Sequence, residues 1–221
     1  MAVSVLRGDM VAMRQFTNDV PIVIVAGGNA SRMGASKPTQ IVDGNMLLSR
    51  ALEYARRHSS NVAIALRCAD QAGGIVADNL MFDQLPGEGP INGFLSAFGF
   101  AKKCRCDFVL IIGCDMPLLP ADLQSRLSHA LGEHGAAIAR SAGKLHPTAG
   151  LWRTNQDGLN AYIASGRRSL IGFAETIGYC AVDWDTDPYD PFFNVNRPDD
   201  ILRAEAIIRT VAQFRRSPDP D

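Results

Sequence analysis

Residues 21–38 read Pro-Ile-Val-Ile-Val-Ala-Gly-Gly-Asn-Ala-Ser-Arg-Met-Gly-Ala-Ser-Lys-Pro, and the two halves of this stretch have opposite physical characters. The first six residues are apolar and mostly β-branched, the pattern of a short strand buried on both faces of a parallel sheet. The run stops at Gly27-Gly28, and the loop beyond it carries Gly34, Ser31 and two cations, Arg32 and Lys37. Glycine lets backbone N–H groups come close to phosphate oxygens, and Arg and Lys neutralise their charge. A buried strand ending in such a loop predicts an open α/β sheet that binds a polyphosphate beyond the carboxyl ends of its strands. The spacing matches neither the P-loop nor the Gly-x-Gly-x-x-Gly dinucleotide fingerprint.

Outward from this stretch, apolar runs alternate with helical stripes. Residues 46–58 carry apolar positions at 47, 48, 51, 52 and 55, as one face of a helix does. Strands are predicted over 62–66 and 80–82, a helix over 91–103, and the strongest strand over 108–112, which ends in Gly113-Cys114-Asp115. A helix is expected over 120–131 with Pro120 in its first turn. Then come strands over 136–140 and 148–152 joined around Gly143-Lys144, helices around 156–164 and 169–176, and a strand near 179–183. A last helix is expected over 198–212, with Asp199 and Asp200 favouring its dipole. The alternation predicts a three-layer, Rossmann-like, doubly wound and mostly parallel sheet. It reads as one domain over 20–214, its nucleotide-binding half over about 20–135 and its acceptor-binding half over about 136–214. Residues 1–19 read as an extension lacking signal-peptide character, and 215–221 as a polar tail.

Composition narrows the function classes. The 221 residues carry 22 Lys+Arg against 23 Asp+Glu, which argues against nucleic acid as a partner. Hydrophobic content of 47% is too high for a disordered chain, and no run reaches the roughly 18 apolar residues of a membrane span. Five cysteines without a second pair at zinc spacing read as reduced thiols of a cytoplasmic protein. The 20 glycines are a modest excess, but Gly27, Gly28, Gly34, Gly89 and Gly93 fall in two prospective ligand loops.

Ala-Gly-Gly-x-x-x-Arg-Met-Gly-x-x-Lys over 26–37 resembles the signature of nucleotidyltransferases that join an NTP to a phosphorylated acceptor. Four further segments follow in order: Gly89-Pro90-Ile91-Asn92-Gly93, Cys114-Asp115-Met116-Pro117, His146-Pro147-Thr148 and Phe193-Asn194-Val195-Asn196-Arg197-Pro198. Together they resemble the molybdenum cofactor guanylyltransferases, a MobA-like nucleotidyltransferase family, across residues 21 to 210. The resemblance implies a nucleotide-diphospho-sugar transferase type of fold and GMP transfer from GTP to the terminal phosphate of molybdopterin, with pyrophosphate released.

The resemblance also assigns roles. Ala26, Gly27, Gly28, Lys37, Arg67, Asp83, Gly89, Pro90, Gly93 and Asp115 would bind the nucleotide, with Asp83 against the guanine edge. Asp115, a carboxylate at the end of the strongest strand, would hold Mg²⁺, which uses few protein ligands and bridges to phosphates. Arg32, Lys37 and Asp115 would be catalytic. His146, Arg167, Arg168, Asn194 and Asn196 would face the acceptor, with Lys144 and Arg153 adding charge there. The family usually places Asn before the arginine after the second strand; Leu66-Arg67 stands here, which leaves guanine against cytosine open. A cytidylyltransferase for the same cofactor and a sugar-phosphate nucleotidyltransferase are the alternatives among enzymes. A nucleotide-binding regulator and a cofactor carrier are those outside them. Apo-forms of molybdenum enzymes or their chaperones are further expected partners.

Overall fold

The computed structural model describes residues 19–26, 37–82 and 89–214. Strands β1 (Ile22–Val25), β4 (Val62–Leu66), β5 (Leu80–Phe82), β6 (Phe108–Gly113), β7 (Ala136–Ser141), β8 (Lys144–Arg153) and β9 (Tyr179–Asp183) form one sheet. Its order is β5-β4-β1-β6-β8-β7-β9. All neighbours are parallel except those of β8, which runs against both β6 and β7. The short strands β2 (Ile41–Val42) and β3 (Asn45–Met46) form a separate antiparallel pair. Every residue of β6 is buried, and β1 and β4 are nearly so, as central strands covered on both faces must be.

Two apolar layers cover the sheet. Helices α1 (Leu47–His58) and α3 (Leu123–Leu131) pack one face, together with Ile22, Ile24, Leu110, Ile112 and Phe192. Helices α2 (Ile91–Lys103), α4 (Gln156–Ala164) and α5 (Leu170–Ile177) cover the other, around Phe94, Trp152 and Phe173. The C-terminal helix α6 (Pro198–Phe214) joins Val42, Leu47 and Val195 in a third, smaller cluster. Both sheet faces being covered by helices confirms the predicted three-layer α/β class.

Two local predictions need correction, and one element was not predicted. The helix after Asp115 begins at Leu123, three residues beyond Pro120, whose carbonyl instead accepts from the Tyr54 hydroxyl at 3.0 Å. Strand β8 begins at Lys144 and not at 148, because Ala142-Gly143 make a tight turn with both φ angles positive (46° and 73°). The β2–β3 hairpin, turned by Asp43-Gly44 at φ 49° and 76°, is an element that periodicity over so few residues does not reveal. Of the extension read over 1–19 and the tail over 215–221, only Asp19 lies among the described residues, where its carboxylate accepts from the Ser60 N–H at 2.7 Å.

The register between β7 and β8 slips between Ile138, opposite Gly150, and Ala139, opposite His146. Residues 147–149 therefore bulge out of the ladder at the sheet end where β6 stops. His146 lies beneath this bulge, 5% exposed, with Nε2 2.8 Å from the Ser141 hydroxyl oxygen. Its ring stacks on Phe192 at 5.0 Å, and Phe192 meets Trp184 edge-on at 5.2 Å. Gly93 is likewise structural: a Cβ there would stand 2.7 Å from Cγ1 of Val25, so its small size lets α2 press against the end of β1.

Gly93→Ala is expected to cost about 1–3 kcal/mol through overpacking, read as a melting temperature lower by a few degrees; an unchanged melt would show that the helix moves freely. Burial holds the His146 imidazole below its ordinary range, reinforced by Lys144 and opposed by Asp190 and Asp115. The unfolded chain takes up that proton near pH 6.5 while the native chain still refuses it. Stability should therefore fall as pH drops from about 6.5 through the lower native value. Denaturant melts of His146→Gln should lack this part of the slope, and identical slopes would refute it.

Candidate active site

The carboxyl ends of β1, β4 and β6 lie level with one another. Ala26 N–H donates to Ala65 at 2.9 Å and Cys114 N–H to Val25 at 3.3 Å, which extends the ladder one residue past each strand. At this end Cys114 and Met116 both turn into the core, so the residue between them, Asp115, is forced outward. Burial and the neighbouring Asp115 charge push the Cys114 thiol up, making it a packing group and not a nucleophile. Gly113 gives the carboxylate room: a Cβ at 113 would lie 2.6 Å from Asp115 Oδ1 and 3.2 Å from the Thr148 hydroxyl.

Three segments distant in sequence converge on that carboxylate. Lys37, in a 3₁₀ turn over Lys37–Thr39, places Nζ 2.6 Å from Asp115 Oδ2 and 2.6 Å from Asn196 Oδ1. The Lys37 and Asp115 side chains are 14% and 22% exposed, so the pair is mostly shielded yet open on one side. Asn194, its amide nitrogen turned toward the carboxylate, donates to Oδ1 and Oδ2 at 3.3 and 3.2 Å. Val195 N–H donates to the Asp115 carbonyl at 2.9 Å, fixing the Asn-x-Asn segment against the end of β6. The bulge beside β6 brings Thr148 to the same point. The result is one carboxylate, one ammonium, two amides and a hydroxyl around a single spot.

This donor set suits Mg²⁺ better than a metal held wholly by protein. Among the described residues no group of three or more His, Cys, Asp or Glu could enclose an ion. Mg²⁺ characteristically takes one or two carboxylates and completes its shell with phosphate and water oxygens. Asp115, with the neutral oxygens of Asn196 and Thr148 nearby, would offer that partial shell.

The remaining predicted residues are placed as follows. Ala26 is buried, its N–H spent on the sheet. Leu66 is fully buried in the core while Arg67 is exposed just past the end of β4, its N–H held by the Gln71 side chain at 2.8 Å. Gly89 (φ 72°) and Pro90 are exposed in the turn before α2. Gly27, Gly28, Arg32 and Asp83 lie outside the described residues. His146 is closed over by Ser141 and Phe192 and shapes the floor instead of presenting a cation. Arg167 stacks on Tyr162 at 4.2 Å, and Arg168 donates to the carbonyls of Ile163 and Arg167 at 2.7 and 2.8 Å. These contacts organise the α4–α5 loop and do not join the arginines to Asp115. Arg153 is a correction: it pairs with Phe108 at the opposite end of β6 and donates to Gly132 and His134, so it cannot serve this site.

Residues missed from the sequence are Thr148, brought in by a bulge, and Asp200, whose Oδ2 accepts the N–H groups of Asn196 and Arg197 at 2.9 Å each. For Asp200 a signal existed, since a carboxylate three residues after a helix N-cap characteristically reaches back to bond the cap's N–H.

Comparison with known proteins identifies the family. Residues 22–177 match the family model of the MobA-like NTP transferase domain. The chain is 34% identical over 197 residues to a molybdenum cofactor guanylyltransferase of Rhizobium meliloti, covering 84% of this chain and 90% of that one. It is 34% identical over 199 residues to the enzyme of the same name from Rhodopseudomonas palustris, covering 85% and 93%. In fold it resembles molybdopterin-guanine dinucleotide biosynthesis protein A of Archaeoglobus fulgidus (TM-score 0.67, 22% identity, 86% of this chain and 100% of that chain). It also resembles 2-C-methyl-D-erythritol 4-phosphate cytidylyltransferase of Thermus thermophilus (TM-score 0.63, 17% identity, 87% and 100%). A strand-end carboxylate bound to a lysine from the first loop, on a sheet of this order and with this match, places the chain in the MobA-like NTP transferase family.

Proposed function

We propose that this nucleotidyltransferase transfers GMP from GTP to the terminal phosphate of molybdopterin, with Mg²⁺ held at Asp115. The observation that carries the proposal is the Lys37 ammonium, 2.6 Å from both the Asp115 carboxylate and the Asn196 amide oxygen. It therefore stands between a nucleotide-side group and an acceptor-side group. The relatives' names supply the guanine and the cofactor. The reading includes action in the cytoplasm; among the described residues no helix is long and apolar enough to cross a membrane.

In the proposed reaction an oxygen of the acceptor's terminal phosphate attacks the α-phosphorus of GTP. A new P–O bond forms, the bond to the β-phosphate bridging oxygen breaks, and pyrophosphate leaves with the electron pair. The attacking phosphate is already an anion, so no general base is needed. Catalysis is positioning and charge neutralisation. Lys37 draws the two phosphates together, while Asn194 and Asn196 orient the acceptor. Arg32 and the amides of Gly27 and Gly28 carry the role the sequence assigns them, on the departing phosphates. Mg²⁺ when bound supplies neutralisation of charge on the pyrophosphate. His146, Arg167 and Arg168 remain acceptor-side assignments through the shape of the floor and of the α4–α5 loop. Delivery to apo molybdenum enzymes or their chaperones is the proposed downstream step.

The ion pair has a consequence for metal binding. Without nucleotide, Lys37 satisfies the carboxylate that the metal needs, so the two cations compete. Once phosphates arrive they attract the ammonium away, and the carboxylate becomes available. Metal and nucleotide should then bind together.

Pyrophosphate release measured with Mg²⁺, molybdopterin and each of the four NTPs should be fastest with GTP. Equal rates with CTP would defeat guanine selectivity, and none with any NTP would favour a binding protein. In Mn²⁺ titrations followed by electron paramagnetic resonance, Lys37→Ala should bind the nucleotide-free metal several-fold more tightly than the unaltered chain. The same variant should turn over roughly 10²-fold or more slowly. Asp115→Asn should weaken Mn²⁺ binding even with GTP present. Unchanged Mn²⁺ binding in Asp115→Asn would remove the metal assignment, and unchanged nucleotide-free binding in Lys37→Ala would remove the competition.

A further inference from the structure

The Asn-x-Asn segment is held from behind by α6, and one carboxylate of that helix has a part in the reaction that its place in the fold alone does not reveal. Asp200 Oδ2 accepts the backbone N–H groups of Asn196 and Arg197, both at 2.9 Å, while its own N–H donates to the Arg197 carbonyl at 3.0 Å. One residue earlier, Val195 is fully buried against Ala204, Leu47 and Val42, and its N–H is bound by the Asp115 carbonyl. Asn196 itself is exposed, and its side chain spans from this fixed backbone to the Lys37 ammonium at 2.6 Å.

We infer that Asp200 is a positioning residue of the transferase reaction, acting through Asn196 on Lys37. Three links carry the effect: carboxylate to amide N–H, backbone to side-chain amide, amide oxygen to ammonium. Val195 fixes the height of the segment above the sheet. A single anchor leaves rotation about the chain open, and the bond from Asp200 to Asn196 N–H removes that freedom on the side that faces the lysine. Because both N–H groups are spoken for, the start of α6 presents no free amides at residues 196 and 197 to a phosphate, which leaves the acceptor's charge to Lys37. The amide oxygen must meet an ammonium that also has to serve two phosphates, so a misplacement of about 1 Å is enough to cost as much as 10²-fold in rate. The inference rests on the reading of Asn196 as an acceptor-side group and of Lys37 as the ammonium that bridges it to the nucleotide side.

Asp200 also caps its helix, since Arg197 is the residue ahead of Pro198 and Asp200 lies three residues beyond it. Capping and positioning make different predictions. Asp199, in the same first turn and equally favourable to the helix dipole, supplies the control for helix stability alone. In Asp200→Asn the side-chain oxygen still accepts from both N–H groups, so geometry is kept while charge is lost.

The test is a double-mutant cycle on Asp200 and Asn196, with melting temperatures measured alongside kcat and the KM for each substrate. Asp200→Ala is expected to lower kcat by about 10-fold or more, to raise the KM for the acceptor and to leave the KM for GTP in place. Asp200→Asn should recover most of that loss, and Asp199→Ala should leave the kinetics unchanged whatever it does to the melt. The decisive expectation is non-additivity: Asp200→Ala/Asn196→Ala should be no slower than Asn196→Ala alone. Additive losses, or an Asp199→Ala enzyme impaired as much as Asp200→Ala, would overturn the inference while leaving the acceptor-side reading intact. An Asn196→Ala enzyme with unaltered kinetics would instead defeat that reading, and the inference with it.

Discussion

A lysine and an aspartate 78 residues apart meet at 2.6 Å because β1 and β6 are hydrogen-bonded neighbours running in the same direction. Parallel pairing brings the carboxyl ends of the two strands to one edge, with Val25 opposite Gly113, and whatever follows each strand must share that edge. The loop after β1 leads to the ammonium, and the turn after β6 carries the carboxylate. Had either strand been antiparallel, the two charges would lie at opposite ends of the sheet. β8 demonstrates the alternative: it runs backwards beside β6, and so its terminal Arg153 lies next to Phe108, far from the chemistry. Strand direction thus decides which of the chain's cations can act on phosphate.

Direction alone leaves the pair loosely defined, and the surrounding packing restricts it further. Cys114 and Met116 drop into the core on either side of Asp115, so the carboxylate has one way to point. Gly113 removes the Cβ that would collide with it. On the other flank the slipped register of β8 raises Thr148 toward the site and buries His146 below it, where Phe192 and Trp184 complete the floor. The Asn-x-Asn segment closes the remaining side, tied to β6 through the Asp115 carbonyl and to α6 through Asp200. Each contact is ordinary. Together they hold Lys37 and Asn194 within hydrogen-bonding distance of one carboxylate and bring Asn196 and Thr148 beside it, which is what catalysis by positioning requires.

The features legible in the sequence were those with a strong local physical signature. Apolar β-branched runs such as 22–25 and 108–112 announce buried strands, and the glycine-rich loop with Lys37 announces phosphate. What escaped depends on pairing between strands, which no window of one strand contains. The bulge that brings Thr148 in and buries His146 is a property of β7 and β8 together, so His146 read as a candidate acceptor ligand although its ring is covered. The β2–β3 hairpin is a different case. Asp43-Gly44 is a recognised two-residue turn signal, but strands of two residues give periodicity nothing to act upon. Arg153 was misleading because a cation's sequence neighbours do not reveal whether a carbonyl or an aromatic ring will claim it.

That last point resolves how a chain with 22 basic and 23 acidic residues handles two polyanionic substrates. Several of its arginines are committed to architecture: Arg50 to the Val42 carbonyl and Asp43, Arg140 to Asp183, Arg126 to the Trp184 ring, Arg153 to two carbonyls beyond β6. A guanidinium suits these tasks because its fixed donors match carbonyls and carboxylates and its plane stacks on rings. The site keeps a lysine, a compact charge on a flexible stem that can leave one partner for another. Lys37 rests on Asp115 and Asn196, and the proposed reaction requires that mobility, since the ammonium would exchange the carboxylate for phosphate oxygens. An arginine forked onto Asp115 would hold the carboxylate with two bonds and oppose the exchange. Among the described residues the charge at Asp115 is therefore decided by where Lys37 stands, and the net charge of the chain has little bearing on it.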